Sequence, residues 1–265
     1  MERVGAQWPP SGHVYQTVPG SISPFSRLFP AMAFYSRFLR VIFKASAAAK
    51  RGRYDGAAWR RTSLEILRAL ETIGVYFHIT GMNHLQQLES PCVVVANHMS
   101  VMETVILPGI IQSFRPVTFI VKDSLMQYPV FKHVLAARHP IVVNRINPRQ
   151  DFKTVMRQGT TLLSTGTSVV VFPQTTRARH FDPEKFNSLG SKLAARANVP
   201  ALPLALLTDA WGTGRLVKEF GKIDSRKTVR LAFGPPLTVE ARGGRQHQEI
   251  IRFINGKLNR WQGER

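Results

Sequence analysis

Six short apolar runs, each closed by a polar turn, do most to limit what this chain can fold into. They span residues 92–96, 117–121, 141–143, 168–172, 201–207 and 228–233. Segments with helical spacing of apolar residues fall between or after them, at about 101–112, 151–164, 188–197 and 246–261. Short continuous apolar runs alternating with helical patterns are what a sheet buried on both faces requires, because each crossover helix covers the strands it joins. The expected fold is therefore α/β, with a mostly parallel central sheet flanked by helices. This domain is expected over residues 79–265.

Two helical patterns precede it, in a module over 28–78. The first runs from Leu28 to about Ala49, where Arg37, Arg40 and Lys44 share one face. Leu28, Met32, Tyr35, Phe38, Leu39, Ile42 and Phe43 occupy the other. A basic face beside an aromatic-rich one suits a helix lying in the plane of an anionic membrane, and equally a helix packed on its own core. The second, about 57–75, carries Leu64, Leu67, Leu70 and Ile73 at helical spacing. Residues 1–27, broken by Pro9, Pro10, Pro19 and Pro24, read as a flexible leader. No stretch reaches the ~18 uncharged apolar residues of a spanning helix.

Charge narrows the partners. With 36 Lys+Arg against 16 Asp+Glu, the formal charge is +20, a field that draws polyanions such as nucleic acid, anionic lipid or a phosphorylated substrate. The basic residues are scattered and no nucleic-acid-binding motif accompanies them, so a nucleic-acid partner is not expected. One cysteine, Cys92, excludes an internal disulfide and a cysteine zinc cluster; within an apolar run it reads as packing. No metal is implied. A P-loop, a G-x-S-x-G elbow and an H-E-x-x-H helix are all missing, which removes support from nucleotidase, serine hydrolase and metalloprotease readings.

The chemistry gathers where apolar runs end. Val93-Val94-Val95 leads into Asn97-His98-Met99-Ser100-Val101-Met102-Glu103. On one continuous helix His98 and Glu103 would point about 140° apart, so they meet only if His98 sits in the turn before a helix. Ser100-x-x-Glu103 is a capping-box pattern that predicts such a start, at Val101. Read alone, the motif has two meanings. Glu103 caps and His98 is a satisfied turn residue, or Glu103 accepts the Nδ1 hydrogen and frees Nε2 as a general base. Two more strand ends have the same layout: Ile141-Val142-Val143-Asn144-Arg145, and Val169-Val170-Val171-Phe172-Pro173-Gln174-Thr175-Thr176-Arg177. Their arginines suggest a fork for phosphate oxygens.

Taken in order, these blocks resemble the glycerolipid acyltransferase superfamily, of which 1-acylglycerol-3-phosphate acyltransferases are members. The resemblance covers about residues 80–240. Asn97 through Glu103 resembles N-H-x-S-x-x-D, with glutamate for aspartate. Arg145 resembles the arginine that ends the second block, and Phe172 through Arg177 resembles F-P-E-G-T-R, with Gln174 for glutamate and Thr175 for glycine. Phe186 through Gly190 with Ala194, the Val199-Pro200-Ala201-Leu202-Pro203 block and Phe233-Gly234-Pro235-Pro236 follow. Thr208-Asp209-Ala210-Trp211-Gly212 matches nothing in the general pattern, which marks a distinct subfamily.

The resemblance implies an O-acyltransferase with no cofactor. The donor is an acyl-coenzyme A or acyl carrier protein thioester, and the acceptor a lysophospholipid, 1-acyl-glycerol-3-phosphate foremost. It implies His98 as general base oriented by Glu103, and Arg145 and Arg177 on the acceptor phosphate. Asn97, Ser100, Pro173, Gln174, Thr175 and Thr176 are expected to line the substrate. Backbone amides at the start of the Val101 helix are expected to face the oxyanion. Acyl carrier protein is a candidate partner, and the expected location is peripheral or monotopic on the cytoplasmic face of an anionic membrane, with the two-helix module over 28–78 expected to be the membrane-docking part. Two other readings stay open: a non-phosphate lyso-aminolipid acceptor, and a catalytically silent lipid-binding member.

Overall fold

The computed structural model describes residues 8–10, 12–174, 176–214, 217–240 and 242–264. Eight strands form one sheet: β1 (Tyr15–Gln16), β2 (Tyr76–Thr80), β3 (Val93–Ala96), β4 (Val117–Lys122), β5 (Ile141–Val143), β6 (Ser168–Val171), β7 (Ala201–Leu207) and β8 (Thr228–Phe233). Their order across the sheet is β1-β2-β8-β7-β3-β6-β4-β5. Five of the seven neighbouring pairs run parallel, and only β1–β2 and β7–β8 are antiparallel. Strands β7, β3, β6, β4 and β5 form an unbroken parallel block, so their carboxyl ends open along a single edge. Polar turns placed there face a common crevice.

The helices are α1 (Pro24–Leu28), α2 (Pro30–Lys50), α3 (Gly56–Glu71), α4 (Met82–Gln86), α5 (Met102–Ile111), α6 (Phe131–Ala136), α7 (Pro148–Ser164), α8 (Leu189–Ala197) and α9 (Gly244–Gly263). They cover both faces. Alternate side chains of a strand point to opposite faces, so Val94 and Ala96 of β3 join the core under α2, α3 and α5, while Val93 and Val95 join the core under α7, α8 and α9. The α8 layer sits close on β3. A Cβ at Gly190 would come 2.6 Å from Val95 Cγ2, so only glycine lets that helix brace the strand behind the histidine turn.

The described part of the expected leader, residues 8–10 and 12–27, packs on the domain. Tyr15 and Gln16 pair with Ile79 and His78, Tyr15 is buried, and Trp8 Nε1 donates to Ser113 Oγ at 2.7 Å. Tyr15 and Thr17 hydroxyls both donate to Glu71 Oε1 at 2.7 Å, tying this segment to α3; burial raises the Glu71 pKa. Residues 1–7 lie outside the described part. Strand β2 also crosses the expected boundary at 79: its five residues alternate in burial and complete the sheet beside β8. A five-residue strand with His78 at its centre carries too weak an apolar signal to be seen in sequence.

The first amphipathic pattern is split. Leu28 ends α1, and α2 restarts at Pro30, whose missing N–H suits a first helical position. Phe34, Phe38, Val41, Ile42 and Ala45 are buried, and Phe34 and Phe38 pack edge-on against Trp211. Leu28, Met32, Leu39 and Phe43 of the expected apolar face are instead exposed, as are Phe25 and Phe29. The core-packing reading is therefore realised on one stripe of α2, and a second apolar stripe is left exposed.

Candidate active site

The turn after β3 folds as its residue types dictate. The helix begins one residue later than expected, with Val101 as N-cap. Ser100 Oγ accepts from Met102 N at 3.1 Å, and Glu103 Oε1 accepts from Ser100 N at 2.9 Å and Met99 N at 3.0 Å. The capping box thus closes on its glutamate side, and one carboxylate oxygen is committed to it. The other, Oε2, lies 2.6 Å from His98 Nδ1. Glu103 thus caps the helix start through one oxygen and meets His98 through the other.

His98 is fixed from several sides. Its ring stacks on Phe172 at 4.4 Å between centroids and 18° between planes. Its backbone N–H donates to Gln174 Oε1 at 2.8 Å, and its carbonyl accepts from Ala178 N at 2.9 Å. The side chain is 16% exposed, while Glu103 is fully buried. Nε2 has no hydrogen-bond partner among the described residues. A carboxylate removed from water needs its lone pairs filled, and here two backbone amides, the His98 ring and the Thr208 hydroxyl fill them. With Nδ1 facing the carboxylate, the imidazole carries its proton there and leaves Nε2 as acceptor.

The remaining residues singled out in sequence divide into three groups. Asn97 is scaffold: its Nδ2 donates to Leu206 O and its Oδ1 accepts from Leu206 N, each at 2.8 Å, stitching the turn to β7. Ser100, expected to line substrate, is also scaffold, since it is buried and donates to Thr208 Oγ1 at 3.0 Å. Gln174 is buried just past the end of β6 and holds His98 in place, its neutral amide oxygen accepting the N–H without the charge a glutamate would bring. Pro173 is buried with its carbonyl taken by Asn187 Nδ2. Thr176 is exposed, and Thr175 lies outside the described residues. Of the amides around the helix start, those of Met99 and Ser100 are taken by Glu103, and that of Met102 by Ser100.

The two arginines do not form one fork on a shared turn. Arg177 directly precedes Ala178, which bonds the His98 carbonyl. Its Nη2 lies 3.4 Å from Glu219 Oε1, and Tyr128 OH donates to Glu219 Oε2 at 3.4 Å. The Glu219 charge raises the pKa of Tyr128. Arg145 follows β5, three strands from β3, or about 14 Å at the usual strand spacing. It is exposed, at φ 60°, with its backbone N–H on Asp151 Oδ2 at 2.8 Å. Glu219 and Tyr128 went unnoticed in the sequence, where each is a solitary polar residue with no motif around it, and Thr208 stood out only as the start of the unmatched Thr208–Gly212 segment. Cys92 is buried, and burial pushes its thiol pKa up, as expected of a packing residue. No group of three or more potential metal-ligating side chains occurs among the described residues.

A family model described as Acyltransferase matches residues 76–207, from β2 to the end of β7. The chain is 29% identical over 206 residues to a 1-acyl-sn-glycerol-3-phosphate acyltransferase of Pseudomonas aeruginosa, covering 78% of this chain and 74% of that one. It is 29% identical over 139 residues to a chloroplastic 1-acyl-sn-glycerol-3-phosphate acyltransferase of Brassica napus, covering 52% of this chain and 38% of the relative. The crystal structure of the 1-acyl-sn-glycerophosphate acyltransferase PlsC from Thermotoga maritima superposes with a TM-score of 0.68 at 17% identity, over 89% of this chain and 96% of that one, which establishes the shared fold. With the family model spanning the histidine turn, the Gln174 strand end and β7, this chain carries an Acyltransferase domain over residues 76–207, is similar to 1-acyl-sn-glycerol-3-phosphate acyltransferases as a divergent relative, and is an acyltransferase.

Proposed function

We propose that this acyltransferase moves a fatty acyl group from an acyl thioester, on coenzyme A or acyl carrier protein, to the free hydroxyl of 1-acyl-glycerol-3-phosphate. The observation that carries the reading is the His98–Glu103 contact at 2.6 Å with Nε2 left open. In the proposed reaction Nε2 takes the acceptor hydroxyl proton as the oxygen bonds to the thioester carbonyl carbon. The tetrahedral intermediate then collapses, the C–S bond breaks, and His98 returns the proton to the leaving thiolate. Glu103 holds the tautomer and offsets the imidazolium charge. No acyl-enzyme is involved. Arg177, next to the Ala178 that bonds the His98 carbonyl, is the nearer candidate for the acceptor phosphate, and Arg145 the more distant.

One observation favours the second acceptor class. Glu219 puts a carboxylate on Arg177, which lowers the pull of that site on a phosphomonoester and suits a lyso-aminolipid instead. The test is acyl transfer from labelled acyl-coenzyme A in detergent micelles, with lysophosphatidic acid and a lyso-aminolipid as acceptors and His98→Ala beside wild type. Wild-type transfer that falls about 10²–10⁴-fold in His98→Ala supports the base. Transfer to the aminolipid alone would move the acceptor to that class. No transfer with either acceptor, or with acyl carrier protein as donor, would favour the silent lipid-binding reading.

The exposed Phe29, Met32 and Phe43, beside exposed Arg37, Arg40 and Lys44, support docking on an anionic membrane surface. No helix among the described residues is long and apolar enough to cross a membrane. Deleting residues 1–55 would strip Phe34 and Phe38 from the core, so the informative variant is Phe29→Ser/Met32→Ser/Phe43→Ser. It should lose binding to vesicles of mixed neutral and anionic phospholipid while wild type binds in a salt-sensitive way.

A further inference from the structure

We infer that Thr208 is a positioning residue of the reaction: its hydroxyl holds Glu103 in the rotamer that orients His98. The inference rests on reading His98 as the base. Thr208 follows β7 directly, and β7 is the parallel neighbour of β3. The register that sets Ala96 beside Leu204 carries Ser100 alongside Thr208. Thr208 is fully buried and its Oγ1 hydrogen-bonds Glu103 Oε1, while Ser100 Oγ lies 3.0 Å from the same hydroxyl.

Donor and acceptor roles in this cluster follow from chemistry. An ionised carboxylate only accepts, so Thr208 donates to Glu103. Its lone pair then accepts from Ser100, whose oxygen accepts in turn from the Met102 N–H at the first turn of α5. The result is a directed chain from a helix-terminal amide through two hydroxyls to Oε1, each bond polarising the next. With the amides of Met99 and Ser100, it gives Oε1 three donors. They pin that oxygen, so the carboxylate cannot rotate and Oε2 stays on Nδ1. A merely space-filling residue needs no hydroxyl at a site with 0% exposure; an apolar side chain of equal volume would serve.

Thr208→Val keeps the volume and removes the donor. Losing a hydrogen bond to a charged group predicts a fall in kcat of about 10–100-fold, with the acceptor KM changed less than two-fold. Thr208→Ser, which restores the hydroxyl and omits the methyl, should stay within about three-fold of wild type on the same scale. A second readout does not depend on turnover. In protein labelled with ¹⁵N-histidine, with His98 assigned by His98→Ala, wild type should show the Nδ1-protonated tautomer and a downfield Nδ1 proton, and Thr208→Val should lose that signal while Thr208→Ser keeps it. If wild type transfers no acyl group to any acceptor, the functional reading fails and the tautomer signal still decides the role of Thr208. Unchanged kcat and an unchanged Nδ1 signal in a folded Thr208→Val protein would overturn the inference. So would a serine variant as damaged as the valine one, which would make the methyl the part that matters. If valine prevents folding, Thr208→Ala replaces it and the same order, serine above alanine, is required.

Discussion

The strand ends after β3 and β5 read alike in sequence, an apolar run emptying into a polar turn with a charged residue, yet the molecule treats them as opposites. At β3 the turn is sealed. Asn97, Ser100 and Glu103 are buried, and their polar atoms are engaged by β7, by the start of α5 or by His98. At β5, Asn144 and Arg145 are exposed, and their backbone N–H groups donate to Asp151 in the first turn of α7. The cause is rank in the sheet. Strand β3 lies between β6 and β7, and β7 runs three residues past Leu204, the partner of Ala96, while β5 is an edge strand. A central strand end can be given partners from three or four elements at once; an edge strand end receives them from its own continuation only. Precise positioning of a catalytic group belongs to the first kind of place.

Four substitutions test that contrast, and they should rank in order. Glu103→Gln keeps the shape at the sealed turn but removes the charge behind His98, and kcat should fall about 10²–10⁴-fold with the fold intact by circular dichroism. Asn97→Ala leaves the N–H and C=O of Leu206 unpaired between buried strands, so chemical denaturation should show about 2–4 kcal/mol of lost stability. Arg177→Gln, at the partly sealed end of β6, should raise the KM for a phosphate-bearing acceptor about ten-fold, the effect of losing one charge-assisted contact of ~1.4 kcal/mol, and leave kcat near wild type. Arg145→Gln, at the open end, should change kcat and KM less than two-fold, as surface charges usually do. An Arg145→Gln effect equal to that of Arg177→Gln would break the comparison, because the edge strand would then share the acceptor site.

The same contrast explains which residues could be read without the fold. The pairing of His98 with Glu103 was legible because both halves lie within six residues and helix geometry fixes how they meet. The role of Gln174 was not: its departure from the family glutamate looked like a change at the acceptor site, and the structure shows it bonding the His98 backbone, 76 positions away in sequence. Glu219 on Arg177 was equally hidden, since it arrives on the irregular segment that follows Trp211. The β1–β2 pairing escaped notice because two residues in a proline-rich stretch carry no periodicity.

By itself the sequence determined the α/β class, the parallel block of strands, the histidine turn with its carboxylate and the reaction family, because these rest on local periodicity, on capping chemistry and on motifs read in order along the chain. Only the tertiary structure decided which strand end became the sealed one, that α2 buries one apolar stripe and exposes another, and that Thr208 completes the environment of Glu103. Those outcomes depend on strand order and register, which bring together side chains about a hundred residues apart, and a solitary threonine or glutamine leaves no trace of its future partner in the chain around it.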